Sequence, residues 1–360
     1  MTRQEIAIRC TASPNKGFGN FNRCLILGEE LREKKYKILF IIDENPQIIR
    51  ELIKRKFQYN IISKFRSRNK EALFMVKLLN KKNLKFLILD AREKGEALSK
   101  KISTSDVQVF LLDDAWVNEA WANIIINGTM IKKYQKYKKL NQNSKIFLGT
   151  KYFIIDKNFL KNKKMFKDIK QKSKYCIVVS LGGSDPHGLT SKILDSICDL
   201  ENIDIRVILG PLIKQKIRRL EYKRKNVSFI ESPKLIWNEF KKADLVISNA
   251  GNTLFELAVQ KVPTICIPAI EHQVPYARFF QTNGFGINLG LWNNVKNKDV
   301  KNTVNKLLSD LSLRKKMNSQ GDKIIDGKGG GKPDMAQAGG NDNKKLDLLN
   351  DFEILLKIND

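Results

Sequence analysis

The stretch Ala243-Asp244-Leu245-Val246-Ile247-Ser248-Asn249-Ala250-Gly251-Asn252-Thr253-Leu254-Phe255-Glu256 carries the clearest structural signal in the chain. Its apolar run ends at Ser248, a turn of small residues follows, and a helix begins near Asn252. A short continuous apolar run between helical stretches reads as a parallel strand covered on both faces. The free N–H groups at the following helix start, together with the helix dipole, suit a diphosphate. Asn252 and Thr253 add side-chain donors, and Glu256, one turn on, is placed to accept from ribose hydroxyls. The same residue types also serve as a plain helix cap, with Asn252 at the start and Glu256 completing the interaction. The next loop, residues 268–275, also ends a strand and opens a helix, and it carries Gln273. Two adjacent loops with polar tips at one sheet edge read as one site, with Ser248, Gly251, Asn252, Thr253, Glu256 and Gln273 as its binding residues.

Outward from this motif the second half repeats the pattern. Apolar runs at 176–181, 205–209, 227–230, 245–248 and 264–267 are each followed by a turn and a helical stretch. The first of them ends in Gly182-Gly183-Ser184-Asp185-Pro186. The first half alternates in the same way, with apolar runs at 38–42, 86–89, 107–112 and 124–126 and a helical stretch at 69–80. At 360 residues the chain is long enough for two cores. The expectation is an α/β chain of two Rossmann-like doubly wound domains, residues 1–158 and 175–326, facing a central cleft. The polar stretch 159–174 reads as a linker, and 327–360 as a Gly-rich flexible tail ending in a short helix.

Composition narrows the function classes. No apolar run approaches the ~18 residues of a membrane span, and no basic-then-apolar signal segment opens the chain, so a cytoplasmic protein is expected. Cys10, Cys24, Cys176, Cys198 and Cys266 lie scattered in apolar segments without metal-ligand spacing and read as reduced and buried. The net charge of +28 invites a nucleic-acid reading, but lysine is spread along the whole chain rather than gathered in a patch. No nucleic-acid partner is therefore expected, and the expected state is a monomer. The densest basic cluster with aromatics, residues 132–139, is the candidate for peripheral membrane contact.

A second glycine-rich turn, Lys16-Gly17-Phe18-Gly19-Asn20-Phe21-Asn22-Arg23, follows an apolar strand over 4–9 and opens a helix running to about Lys34. Arg9, Ser13, Gly17, Phe18, Gly19 and Arg23, then Asp90, Asp113-Asp114, residues 149–152, Gly182-Gly183-Ser184-Asp185, residues 248–256 and Gln273 form an ordered set. With this set the chain resembles the UDP-sugar hydrolases of pseudaminic acid biosynthesis (PseG-like proteins), within the GT-B nucleotide-sugar superfamily. The resemblance extends to about residue 328. It implies a UDP-sugar substrate, no metal or other cofactor, and release of UDP by water attack at the anomeric carbon. It places UDP on Asn252, Thr253, Glu256 and Gln273, with Gly182, Gly183, Ser184, Ser248 and Gly251 beside them. Arg9, Gly17, Gly19 and Arg23 fall on the sugar side.

The chain departs from that family at two positions. Thr11 stands where the family has an aspartate, and Asn20 stands at the catalytic histidine. An amide does not titrate near neutral pH and cannot take a proton from water. Asp113 and Asp114, which follow the run at 107–112, are the other candidate catalytic groups, and the two histidines, His187 and His272, lie just past strand ends. Two other readings share the donor site: a GT-B glycosyltransferase using a UDP-sugar, and a non-catalytic nucleotide-sugar-binding protein.

Overall fold

The computed structural model describes residues 4–11, 18–62, 65, 67–91, 94–114, 118–139, 143–210, 213, 225–231, 233 and 235–325. They fall into two compact units. Unit 1 comprises residues 20–154 with the strand before them, and unit 2 comprises residues 155–325.

Unit 1 is built from β1 (Glu5–Cys10), α1 (Gly19–Glu33), β2 (Lys37–Asp43), α2 (Pro46–Lys54), β3 (Gln58–Ile62), α3 (Arg68–Lys81), β4 (Phe86–Asp90), α4 (Gly95–Ile102) and β5 (Gln108–Leu112). The short β6 (Glu119–Ala120), β7 (Ile124–Asn127), the short β8 (Lys138–Lys139) and β9 (Lys145–Leu148) complete it. Seven strands form one parallel sheet in the order β3-β2-β1-β4-β5-β7-β9, while β6 and β8 pair apart from it. The central strands are apolar on both faces, and Ala7, Ile8, Ile41, Ile88 and Leu89 have no exposed surface. Helix starts follow the local chemistry. The Asn45 side chain accepts from the N–H groups of Gln47 and Ile48 ahead of Pro46, and Ser67 accepts from Lys70 N–H.

Unit 2 contains α5 (Lys157–Lys161), β10 (Tyr175–Ser180), α6 (Leu189–Ile197), β11 (Ile203–Leu209), β12 (Val227–Glu231), α7 (Ile236–Lys242), β13 (Leu245–Ser248) and α8 (Thr253–Gln260). It continues with β14 (Thr264–Cys266), α9 (Val274–Thr282), β15 (Gly286–Asn288), α10 (Asn297–Ser309) and α11 (Leu311–Ile325). Its parallel sheet has the order β12-β11-β10-β13-β14-β15. In both sheets the chain runs outward to one edge, returns beside its first strand, and runs to the other edge. That reversal is the topological switch point, where the carboxyl ends of adjacent strands diverge and leave room for a ligand.

The structure adds elements that were not expected and corrects one. β3 reads Gln-Tyr-Asn-Ile-Ile and lies at the sheet edge, half exposed, so it has no apolar signature. β9, at the other edge, and the three-residue β15 escaped for the same reason or for brevity. The stretch 159–174 is not a free linker. Phe159, Lys164 and Ile169 are buried, Phe159 lies 6.3 Å from Phe240 between ring centres with the planes tilted by 30°, and Lys164 N–H donates to the Gln260 carbonyl at 2.9 Å. Isolated apolar residues among lysines anchor a segment that looks solvated in sequence. The proposed tail, 327–360, lies outside the described residues. Among the described residues no helix is long and apolar enough to cross a membrane.

Candidate nucleotide and sugar-side sites

At the unit 2 switch point, β10 and β13 end side by side with Ser180 opposite Ser248. Ser248 is fully buried, and its hydroxyl donates to the Ser180 carbonyl at 2.8 Å, so it ties the two strand ends together. Asn249 Nδ2 donates to the Leu181 carbonyl at 3.0 Å, joining the two loops. The glycine turn follows β10. Gly182 sits at φ +80°, a conformation that side chains rarely adopt. Gly183 and Ser184 are half-buried beside it. Asp185 closes the turn by accepting from Leu189 N–H and Thr190 N–H, both at 2.9 Å, which starts α6.

Gly210, after β11, packs directly on this turn. A Cβ there would lie 2.3 Å from the Gly182 carbonyl oxygen and 2.6 Å from Gly183 Cα. Backbone cannot swing aside as a flexible side chain can. Gly210→Ala is therefore expected to cost about 1–3 kcal/mol of stability, the range for overpacking, as a lowered denaturant midpoint with unchanged slope. A midpoint equal to wild type would show that the turn yields freely.

At the start of α8, Leu254 N–H donates to the Gly251 carbonyl at 3.1 Å and Phe255 N–H to the Asn252 carbonyl at 3.0 Å. Asn252 precedes α8 in helical conformation with no side-chain capping hydrogen bond. Among the described residues the plain-cap reading of Asn252 is thus not what the structure shows. The loop after β14 reaches the same place. A Cβ on Gly251 would lie 3.5 Å from both Asn249 Oδ1 and Gln273 Nε2. Gln273 Oε1 accepts from Ala269 N–H at 2.8 Å, which fixes the side chain. Gly251, Asn252, Thr253 and Gln273, taken from two loops, therefore share one edge.

Glu256 sits one turn into α8, half-buried. Burial pushes its carboxyl up to about 7, and the neighbouring Asp156 charge adds to the rise, while a hydrogen bond with Thr253 pulls the other way. Asp156 is held in place by accepting from Asn158 N–H at 2.8 Å. His187 stacks on Trp292 with ring centres 4.0 Å apart and planes 10° apart, and His272 lies 5.6 Å from the Tyr276 ring.

At the unit 1 switch point, between β1 and β4, Cys10 pairs with Asp90. Asp90 is buried and is the hub of the local network. It accepts from Asn20 Nδ2, from Arg23 Nε, from Arg23 Nη2 at 2.7 Å and from Cys24 Sγ at 3.5 Å. Arg23 Nη1 also reaches Asp114 at 3.2 Å. Burial opposes the charge on Arg23, but Asp90 and then Asp114 outweigh it and hold the guanidinium protonated. Tyr137 donates its hydroxyl to Asp113 at 2.7 Å and accepts from Asn127 Nδ2 at 2.6 Å. Burial, then the Asp113 charge, keeps that phenol protonated far above its usual range. Thr11, at the departure from the family pattern, has a buried hydroxyl with no hydrogen-bond partner among the described residues. Gly19 opens α1, and Gly17 lies outside the described residues.

Arg9 is placed differently from the sequence expectation. Its side chain is 0% exposed and pairs with Glu71 at 2.7 Å and Asp43 at 2.8 Å. Lys94 joins Glu71 at 2.8 Å. These pairs fasten β1, β2 and α3 together, and Arg9 itself has no exposed surface. Asp90 and Tyr137 are the residues that sequence reasoning left without a role. Asp90 had a signal, a carboxylate at a strand end, whereas the partnership of Tyr137 with Asp113 leaves none.

Residues 177–329 match the Glycosyltransferase family 28 C-terminal domain. The spore coat polysaccharide biosynthesis protein SpsG of Bacillus subtilis is 25% identical over 324 residues, covering 87% of this chain and 92% of that protein. Among solved structures, MurG of Acinetobacter baumannii superposes with a TM-score of 0.65 at 12% identity, covering 89% of this chain and 95% of that one. Spinosyn rhamnosyltransferase SpnG complexed with thymidine diphosphate gives 0.61 at 12% identity, covering 89% and 96%. At such identities the likeness speaks to architecture: the chain has two Rossmann-like parallel-sheet domains of the GT-B type.

Proposed function

We propose that the chain is a UDP-sugar hydrolase-like protein of surface-polysaccharide or nonulosonic acid biosynthesis. It binds UDP at the unit 2 edge and releases UDP slowly from a UDP-linked amino sugar. The observation that carries this reading is the uncapped start of α8, with Glu256 one turn in and Gln273 brought beside Gly251. Backbone N–H groups there suit a diphosphate, and a carboxylate one turn on suits ribose hydroxyls. The family 28 match covers this unit, SpsG is named for polysaccharide biosynthesis, and SpnG was solved with a nucleoside diphosphate.

In the proposed reaction a water oxygen bonds to the anomeric carbon as the bond to the phosphate oxygen breaks. UDP leaves with the bonding pair, and the water gives up a proton. The unit 1 cluster is where the resembled hydrolases keep their base. Here Asn20 supplies an amide already hydrogen-bonded to Asp90, and Asp90 is engaged by Arg23. Water activation is therefore weak, which makes the turnover slow.

UDP release from a panel of UDP-sugars, with and without candidate acceptors, tests the reading. Slow, acceptor-independent release is expected. Release that needs an acceptor would make the chain a transferase. Retention of the intact UDP-sugar would make it a binding protein. Thermal unfolding gives the simpler arm: ligand at ~100-fold its Kd stabilises by about 2.7 kcal/mol. No shift with UDP would contradict the nucleotide assignment.

A further inference from the structure

The described surface has two adjacent pairs of exposed large apolar residues, Leu73–Phe74 on α3 and the more exposed Met165–Phe166 at a turn. Both side chains of the latter pair are 53% exposed. Isolated exposed apolar residues are ordinary, but two large ones side by side at a turn tip are not. Phe166 opens a single turn of tight helix, Phe166–Asp168, and Asp168 closes it by accepting from Met165 N–H at 3.0 Å. The turn is rigidly mounted. Lys164 points inward, its Nζ donating to the Ala243 carbonyl, and Ile169 is buried on the other side.

The surroundings are strongly basic. Lys161, Lys163, Lys167 and Lys170 flank the pair in sequence. Lys315 from α11 sits 5.1 Å over the Phe166 ring, with Lys316 next to it. Of the nearby acids, Asp168 serves the turn itself, and Asp322 faces Lys163 and Lys261. We propose that this turn docks unit 2 onto an anionic lipid surface, with Met165 and Phe166 entering the interface and the lysines meeting the headgroups. Apolar tips within a polybasic rim are how peripheral proteins hold such a surface, each element weak alone. The turn precedes the amino end of β10, whereas Gly182, Gly251 and Gln273 follow the carboxyl ends of their strands. Docking there leaves the nucleotide edge open. The cluster at 132–139, the sequence candidate for this role, fits it less well. Its tyrosines are half-buried, and Tyr137 is engaged with Asp113.

Co-sedimentation of the full chain with vesicles tests the proposal. Binding is expected to vesicles of phosphatidylcholine with phosphatidylglycerol, to weaken with added salt, and to be absent with phosphatidylcholine alone. M165S/F166S and K167E/K170E are each expected to lower the partition about tenfold. All four side chains are exposed, so both variants should melt like wild type. The proposal is overturned if wild type does not bind anionic vesicles, if it binds neutral ones equally, or if either double variant binds as wild type does. It is also overturned if an oligonucleotide competes the vesicles away and K167E/K170E alone loses that binding, which would mark a nucleic-acid surface.

Discussion

Replacing Asn20 with histidine is expected to raise the rate of UDP release by about 10²–10⁴-fold, the usual contribution of a positioned general base. Asn20 Nδ2 already donates to Asp90. An imidazole at this position has the same carboxylate to receive one ring N–H, which leaves the other nitrogen free to take a proton from water. In the proposed reaction the carboxylate that would orient the base is thus present and the base is not. Arg23 Nη2 holds that carboxylate in position at 2.7 Å. A pH profile separates this effect from mere repacking. N20H should acquire a limb near the imidazole value of ~6.5, whereas N20Q, which keeps an amide, should show neither the limb nor the gain. Equal rates for wild type and N20H, with the fold intact, would remove residue 20 from the reacting centre.

Substitution of Glu256 carries the second large expectation. Hydrogen bonds to a charged group contribute about 1.5–3 kcal/mol, so Glu256→Ala is expected to weaken UDP by roughly 10- to 100-fold. In the proposed binding mode the carboxylate form accepts from ribose hydroxyls, and burial followed by the Asp156 charge raises this carboxyl to about 7. UDP affinity of the wild type should therefore increase as pH rises through 7. Glu256→Gln, fixed in an uncharged form, should lose this contribution and keep only the pH dependence of the terminal phosphate of UDP itself. Stability of the free protein runs the other way. Below the unfolded value of 4.5 the group is protonated in both states and has no effect. Between 4.5 and about 7 the unfolded chain loses the proton first, so folding weakens, and above 7 the cost stays constant. Chemical denaturation at pH 5 and 8 checks this term by its difference between wild type and Glu256→Gln. An equal pH response in the two proteins would remove Glu256 as its source.

Much of the architecture is legible in the sequence because the central strands are continuous apolar runs. Ile38 to Ile42 and Ile177 to Val179 announce buried parallel strands without help from their neighbours. Edge strands such as Gln58–Ile62 carry no such signature, since one side of the backbone and half of the side chains face water. Lys164 looks like one more surface lysine until Ala243 is seen to accept from it. The sites divide in the same way. The loop at 249–256 announces itself, because turn, small residues and helix start are contiguous. Asn252 as cap or as ligand donor is undecidable from residue type, since both uses ask for the same chemistry. The fate of Arg9 depends on Asp43 and Glu71, 34 and 62 residues away, and no local pattern encodes that pairing.

The central claim is that UDP sits where the loops after β13 and β14 meet. Amide hydrogen exchange of the wild-type chain with and without saturating UDP at pH 8, where Glu256 is ionised, tests it most directly. Slowed exchange is expected over residues 249–256 and 269–274, with the Gly182–Gly183 turn following. Unchanged exchange in these segments, or protection confined to other parts of the chain, would contradict the assignment.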